Sequence, residues 1–159
     1  MEEENKRAID KKYIIGFAIF FLLFIGVRLW QLKYETIILQ VEDVVVEVQV
    51  VNTIYQAEKG LGGRKSIGRY DGMFFPFSFP GKHAIVMRDM QFSIDIIWVH
   101  QGKIVDIAPN VPTEPGVPEH GLRRYSPRMD ATAVIEFPAG WVDRNGVKIG
   151  DSVKRPGNE

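Results

Sequence analysis

Apolar and polar positions along this chain fall into two regimes. From Tyr13 to Trp30 the run YIIGFAIFFLLFIGVRLW is apolar around its whole circumference if helical, and Arg28 is its only charge. At about 1.5 Å per residue such a helix is roughly 27 Å long, close to one hydrocarbon core, and it predicts a single transmembrane helix over residues 13–30. Arg28 can snorkel to the headgroups, and Tyr13 and Trp30 stand where interfacial aromatic residues are expected. No small-x-small cleavage site follows the run, so it is expected to stay attached as a signal anchor in contact with the lipid bilayer. Lys6, Arg7, Lys11 and Lys12 precede it, whereas only Arg28 and Lys33 accompany its far side. That asymmetry places the tail 1–12 in the cytoplasm and the domain 35–155 outside the cell membrane.

Beyond Glu35 the apolar runs are short and rich in Val, Ile and Phe. Ile37–Val41, Val44–Val51, His83–Met87, Ile94–Val99, Lys103–Ala108, Ala133–Phe137 and a short piece near Ser152 read as strands. In the second of these, Val44, Val46, Val48 and Val50 share one face and Glu47 and Gln49 the other, as in a half-buried strand. His100-Gln101-Gly102 joins two runs as a tight hairpin, with Gly102 free to take positive φ. Only two segments look helical. One is capped by Asn52 or Thr53 and stopped by Gly60 or Gly62; the other runs from about Ala139 to Arg144 and is stopped by Asn145-Gly146. The expected fold is therefore mainly β and barrel-like, with two short helices, plus the amino-terminal transmembrane helix.

Composition narrows the chemistry. Twenty Lys and Arg balance 20 Asp and Glu, so no cationic surplus is available for nucleic acid. The absence of Cys removes disulfides, thiolate metal sites and a Cys nucleophile. His83, His100 and His120 lack paired metal-ligand spacing, so no metal is expected. Gly60-Leu61-Gly62-Gly63-Arg64-Lys65-Ser66 lacks the glycine a phosphate loop places before Lys-Ser, and it follows a helix instead of preceding one. No G-x-S-x-G elbow occurs, and no cofactor is expected. Phe74, Phe75, Phe77 and Phe79 form the densest aromatic group, read as core filling next to Pro76 and Pro80. Pro109–Pro127 holds five of the nine prolines, and a loop of that length is usually functional or mobile.

Three blocks, read in order, resemble a known family. They are Gly60-Leu61-Gly62-Gly63-Arg64 through Gly72-Met73-Phe74-Phe75; Met87-Arg88-Asp89-Met90-Gln91-Phe92-Ser93-Ile94-Asp95-Ile96-Ile97-Trp98-Val99; and Tyr125-Ser126-Pro127 followed by Ala133–Trp141 and Gly146–Val153. Together they resemble DUF192, a UPF0127-like family, over roughly Ile38 to Val153. The resemblance implies a small, mainly β, barrel-like prokaryotic domain, often exported or membrane-anchored, with no established activity. This chain departs from the family's pattern at Gly62, where a large apolar residue is usual, and at Ile85 or Val86, where an aromatic is usual.

Within those blocks four ionisable residues stand out. Asp95 lies in an apolar strand, where a carboxylate must be paired, hydrogen-bonded or protonated. Arg64 and Arg88 are its natural partners. One reading is an Arg–carboxylate clamp that fixes strand register. The other is a polar cluster of Arg64, Arg88, Asp95 and Glu136 at the barrel mouth, binding a small anionic or sugar-like ligand. The function expected is thus a membrane-anchored binding module for an envelope glycan, a small polar ligand or another envelope protein, with no catalytic residue assigned. Two rivals remain: a hydrolase using Asp95 and Glu136 as a carboxylate pair, and a structural accessory subunit docked through its anchor.

Overall fold

The computed structural model describes residues 11–31 and 33–157. The tail before Lys11, Leu32, the side chains of Leu29, Trp30 and Gln31, and the last two residues lie outside the described residues. The chain divides into two units between Lys33 and Tyr34.

The first unit carries helix α1, Lys11–Gln31. No helix among the described residues is long and apolar enough to cross a membrane, which corrects the transmembrane helix expected over residues 13–30 and removes that support for a bilayer contact there. The reason lies in the charges at its ends. Lys11 and Lys12 flank one end and Arg28 interrupts the other, so the uncharged stretch Tyr13–Val27 measures roughly 22 Å as a helix, short of a hydrocarbon core of about 30 Å.

The second unit contains seven strands: β1 Glu35–Val41, β2 Val44–Val50, β3 Gly72–Gly81, β4 Ile94–His100, β5 Lys103–Val111, β6 Ala131–Pro138 and β7 Val153–Lys154. Helix α2, Ile54–Lys59, helix α3, Trp141–Asn145, and a 3-10 turn at Glu119–Gly121 complete it. The strands form one sheet in the order β5-β4-β6-β3-β2-β1-β7. Only β2 and β3 run parallel, through Val48–Val50 and Gly72–Phe74. The sheet curls so that its edges touch only at the start of β5: Lys103 bridges to Ser152, the Ile104 amide donates to the Asp151 carbonyl at 2.9 Å, and the Val153 amide to the Gly102 carbonyl at 2.8 Å. The result is a half-barrel.

Local chemistry accounts for most boundaries. Thr53 Oγ1 accepts from the Gln56 amide at 3.1 Å and starts α2, while Gly60, at φ 45°, stops it. Gln101 and Gly102 take φ of 49° and 71° in the β4–β5 hairpin, matching the twist of the strands they join. The strand expected at His83–Met87 does not form. That segment crosses over the sheet, bridged to the Pro-rich region through Ile85 and Tyr125 and held by Trp98 Nε1, which donates to the His83 carbonyl at 2.8 Å. The missing strand is replaced by β3, whose Pro76 and Pro80 argue against sheet pairing. Its pairing is indeed confined to its first half and to Gly81, with the register shifting between Pro76 and Gly81. Along β3 Phe75 is buried, Phe77 stacks on His83 at 3.6 Å, and Phe79 is 78% exposed, so the aromatic run is only partly core.

Each sheet face has its own core. The concave face packs Leu39, Val46, Ile97, Ile135 and Phe137 against Trp141 and Val142 of α3. The convex face packs Met73, Phe75, Ile96, Trp98 and Val134 against Leu61, Met87 and Met90 from the crossing segments. β4 and β6 are buried on both faces, and their successive side chains, pointing to opposite sides, feed both.

Asp95 joins strand to helix at the concave core. Fully buried, it accepts from the Asn110 amide at 2.7 Å, the Gly140 amide at 3.2 Å and the Val142 amide at 2.8 Å. Two of these donors belong to the first turn of α3, so the carboxylate acts as a side-chain cap supplied from a neighbouring strand. No arginine among the described residues takes part, which corrects the expected pairing with Arg64 or Arg88. An Arg–carboxylate clamp does occur, on another acid: Asp106 of β5 accepts from the Arg128 amide at 2.6 Å and from Arg128 Nη2 at 2.6 Å. Burial opposes ionisation of Asp106, but the Arg128 side chain and the Arg128 and Ile107 amides outweigh it and hold the carboxyl below its usual range. Asp95→Ala strands three amides, and we expect a loss of about 3 kcal/mol in urea unfolding, with Asp95→Asn losing about half as much. A loss below about 0.5 kcal/mol for the alanine variant contradicts the capping role.

Candidate functional site

On the convex face, α2, the turn after it, the crossing segment 84–90 and the 3-10 turn enclose a cavity of about 500 Å³. That volume suits a small organic molecule. Its floor includes Glu136 of β6, Phe75 of β3 and Ile94 of β4. Leu61 and Met90 line its apolar sides, and Arg88, Glu119 and Arg124 its charged rim.

Strand register explains why Glu136 is there. Glu136 stands opposite Ile96 of β4, while Asp95 stands opposite Phe137. Directly opposed residues of an antiparallel pair share a face, so a one-residue offset sends the two acids to opposite sides of the sheet. The carboxylate pair expected of a hydrolase does not exist. Glu136 instead sits among Met73, Phe75, Ile94 and Ile96 on the convex core. It is 5% exposed, and its carboxyl makes no hydrogen bond or ion pair with the described residues. Burial pushes it up to about 8, so at neutral pH it is chiefly the protonated acid, a hydrogen-bond donor pointing into a cavity.

Of the four residues singled out from sequence, two line the cavity and two do not. Arg88 lines it, but its guanidinium is engaged: Nε donates to Glu119 Oε2 at 2.6 Å, Nη2 to Glu119 Oε1, and Nη1 to the Glu58 carbonyl at 2.9 Å. It thereby ties the end of α2 to the 3-10 turn across the cavity. The Arg88 hydrogen bond holds the Glu119 carboxyl below its usual range. Arg64 lies outside the cavity lining, donating from Nη1 to Gln49 Oε1 at 2.5 Å and stacking 4.9 Å over the Tyr34 ring. Asp95 is on the concave side, as above.

Sequence reasoning missed Glu119 and Arg124, although both belong to the Pro-rich segment that its length had marked. In the structure Glu119 pairs with Arg88, and Glu114 accepts from the Arg123 amide at 3.2 Å. Gly62 also has a local reason. A Cβ at that position stands 2.7 Å from the Arg88 carbonyl oxygen, so the large residue usual there cannot fit between this turn and the Arg88 segment.

Glu136 links the site to pH. Its value in the folded chain lies above the ordinary 4.5 of an unfolded one. Its favourable contribution is thus fully present below about pH 4.5 and is lost as pH rises through about 8, at up to about 1.4 kcal/mol per pH unit. We expect urea unfolding of the parent chain to show this decline between about pH 5 and pH 8. Glu136→Gln removes it and is the more stable chain at pH 9. Parallel pH profiles for parent and variant contradict a buried, unpaired carboxyl.

Comparison with known proteins identifies the fold and the family. A Sinorhizobium meliloti protein named as a candidate transcription regulator superposes with a TM-score of 0.70 at 22% identity, covering 80% of this chain and 98% of that chain. At that identity the likeness shows the fold alone. A Novosphingobium aromaticivorans protein of unknown function superposes with a TM-score of 0.65 at 25% identity, covering 75% of this chain and 84% of that one. No curated protein matches the chain. Residues 37–155 match the model of DUF192, described as an uncharacterized ACR, and the chain belongs to that family.

Proposed function

We propose that the β domain is a binding module for a small molecule, held in the convex-face cavity with Glu136 as its buried polar contact. The observation that carries this reading is Glu136 itself. A carboxyl that is 5% exposed and unpartnered among the described residues opposes folding by its desolvation, and an apolar side chain at that place would pack with the surrounding Ile and Phe residues. Retaining an acid there makes physical sense if a ligand supplies the missing hydrogen-bond partner.

Two features argue for a small amphipathic ligand over an envelope glycan. The cavity's sides are largely aliphatic and aromatic, whereas a sugar presents hydroxyls that need polar partners on most sides. The charged groups gather at the rim, where the polar end of a ligand would lie. Hydrolysis has less support, because the second carboxylate it required is on the other side of the sheet.

Thermal unfolding of the full chain against sugars, nucleotides, carboxylates, amines and neutral amphiphiles tests the reading. A ligand at about a hundred times its dissociation constant adds about 2.7 kcal/mol, which raises the melting temperature by several degrees. We expect such a shift from at least one small molecule, and its loss in Ala57→Trp, which fills the cavity from exposed α2. A panel without shifts, or shifts untouched by Ala57→Trp, overturns the proposal.

A further inference from the structure

Resting on the cavity's role as a ligand site, we propose that its ligand is a small carboxylic acid with an apolar body and one further oxygen, its carboxylate gripped by Arg124 and its oxygen receiving a hydrogen bond from Glu136. The assignment follows from which charges around the cavity are already engaged. Arg88 has the Nε–Nη2 edge of its guanidinium on Glu119 and Nη1 on the Glu58 carbonyl, so it serves as wall and not as ligand contact. Arg124 lines the same cavity, and its side chain makes no ion pair or hydrogen bond with the described residues. Lys59, the other cation of the lining, has its Nζ turned toward Gly63, 3.1 Å from where a Cβ there would sit.

An unengaged guanidinium is a planar fork that fits a carboxylate with two parallel hydrogen bonds, whereas it repels an amine. The apolar middle of the cavity, Leu61, Phe75 and Ile94, then accepts the ligand's body and excludes one made only of charge and hydroxyl. At the floor, Glu136 presents an O–H to whatever lies above it. An oxygen acceptor there satisfies a buried group that otherwise has no partner, and a ligand lacking that oxygen leaves it unsatisfied. Three contacts of different kind thus define one chemical class.

Four related probes separate these contacts by calorimetry on the full chain at pH 7. The set is 4-hydroxyphenylacetate, phenylacetate without the ring oxygen, 4-hydroxyphenylacetamide without the charge, and tyramine with the charge reversed. We expect 4-hydroxyphenylacetate to bind tightest. Arg124→Gln, at an exposed position that leaves the core intact, should weaken it by about tenfold, the effect of losing one charge-assisted contact, and should bring acid and amide to the same affinity. Glu136→Leu should erase the difference between 4-hydroxyphenylacetate and phenylacetate while leaving the Arg124 dependence in place. Tyramine or the amide binding as tightly as the acid overturns the carboxylate assignment but leaves the cavity as a ligand site. No binding by any of the four also overturns the assignment, and the broader panel with Ala57→Trp then decides separately whether the cavity binds anything.

Discussion

The antiparallel register of β4 against β6 is the constraint on which the rest of this domain depends. With Ile96 opposite Glu136 and Asp95 opposite Phe137, one acid is sent into the concave core and the other onto the convex face. A slip of one residue would bring both acids to the same face and turn one strand's apolar set over against the other's. The register is pinned on the concave side by Asp95, which reaches α3 through the Gly140 and Val142 amides, and by the stack of Phe137 on Trp141 at 3.8 Å. On the convex side it is pinned by Trp98, whose indole N–H is fastened to the crossing segment.

The same burial produces two different chemical outcomes. Three oriented amides surround Asp95, so the protein itself supplies what water would have given, and the carboxylate becomes a structural joint. Glu136 receives no donor from the described residues and is driven by burial toward its neutral form. A protein rarely leaves a polar group buried and unanswered, and where it does the reason is usually functional. The half-barrel thus uses one acid to hold itself together and leaves the other without a donor among the described residues, which is the basis of the proposed ligand site. Arg88, bonded to Glu119 and to the Glu58 carbonyl, joins α2 to the 3-10 turn, so the walls of the cavity are braced.

Legibility from sequence followed the range of the interaction. Short runs rich in Val, Ile and Phe marked β1, β2, β4, β5 and β6, with period-two alternation clearest in β2, and local turn chemistry marked Thr53, Gly60, Gly102 and Gly146. The three family-like blocks were also readable, and the family is the one the sequence resembles. What was misread depended on partners far along the chain. Arg88 and Glu119 are separated by 31 residues, Asp95 and Val142 by 47, and no local pattern joins them. The β3 strand was hidden by prolines that pairing tolerates because they fall where the ladder is already broken. The apolar run at 13–30 was read as spanning because Arg28 was counted as snorkelling; with lysines at one end and Arg28 at the other, its uncharged stretch is too short.

The central claim is that Glu136 is a buried acid, unpartnered among the described residues, that faces a cavity. The most direct measurement is an NMR titration of the Glu136 side-chain carboxyl carbon in the folded chain, with Glu136→Gln assigning the resonance. The account predicts a midpoint near 8, and a displaced titration when a cavity ligand engages the carboxyl. A midpoint near the ordinary 4.5 of a solvated glutamate would contradict it, because it would mean that water or a protein donor already satisfies the group.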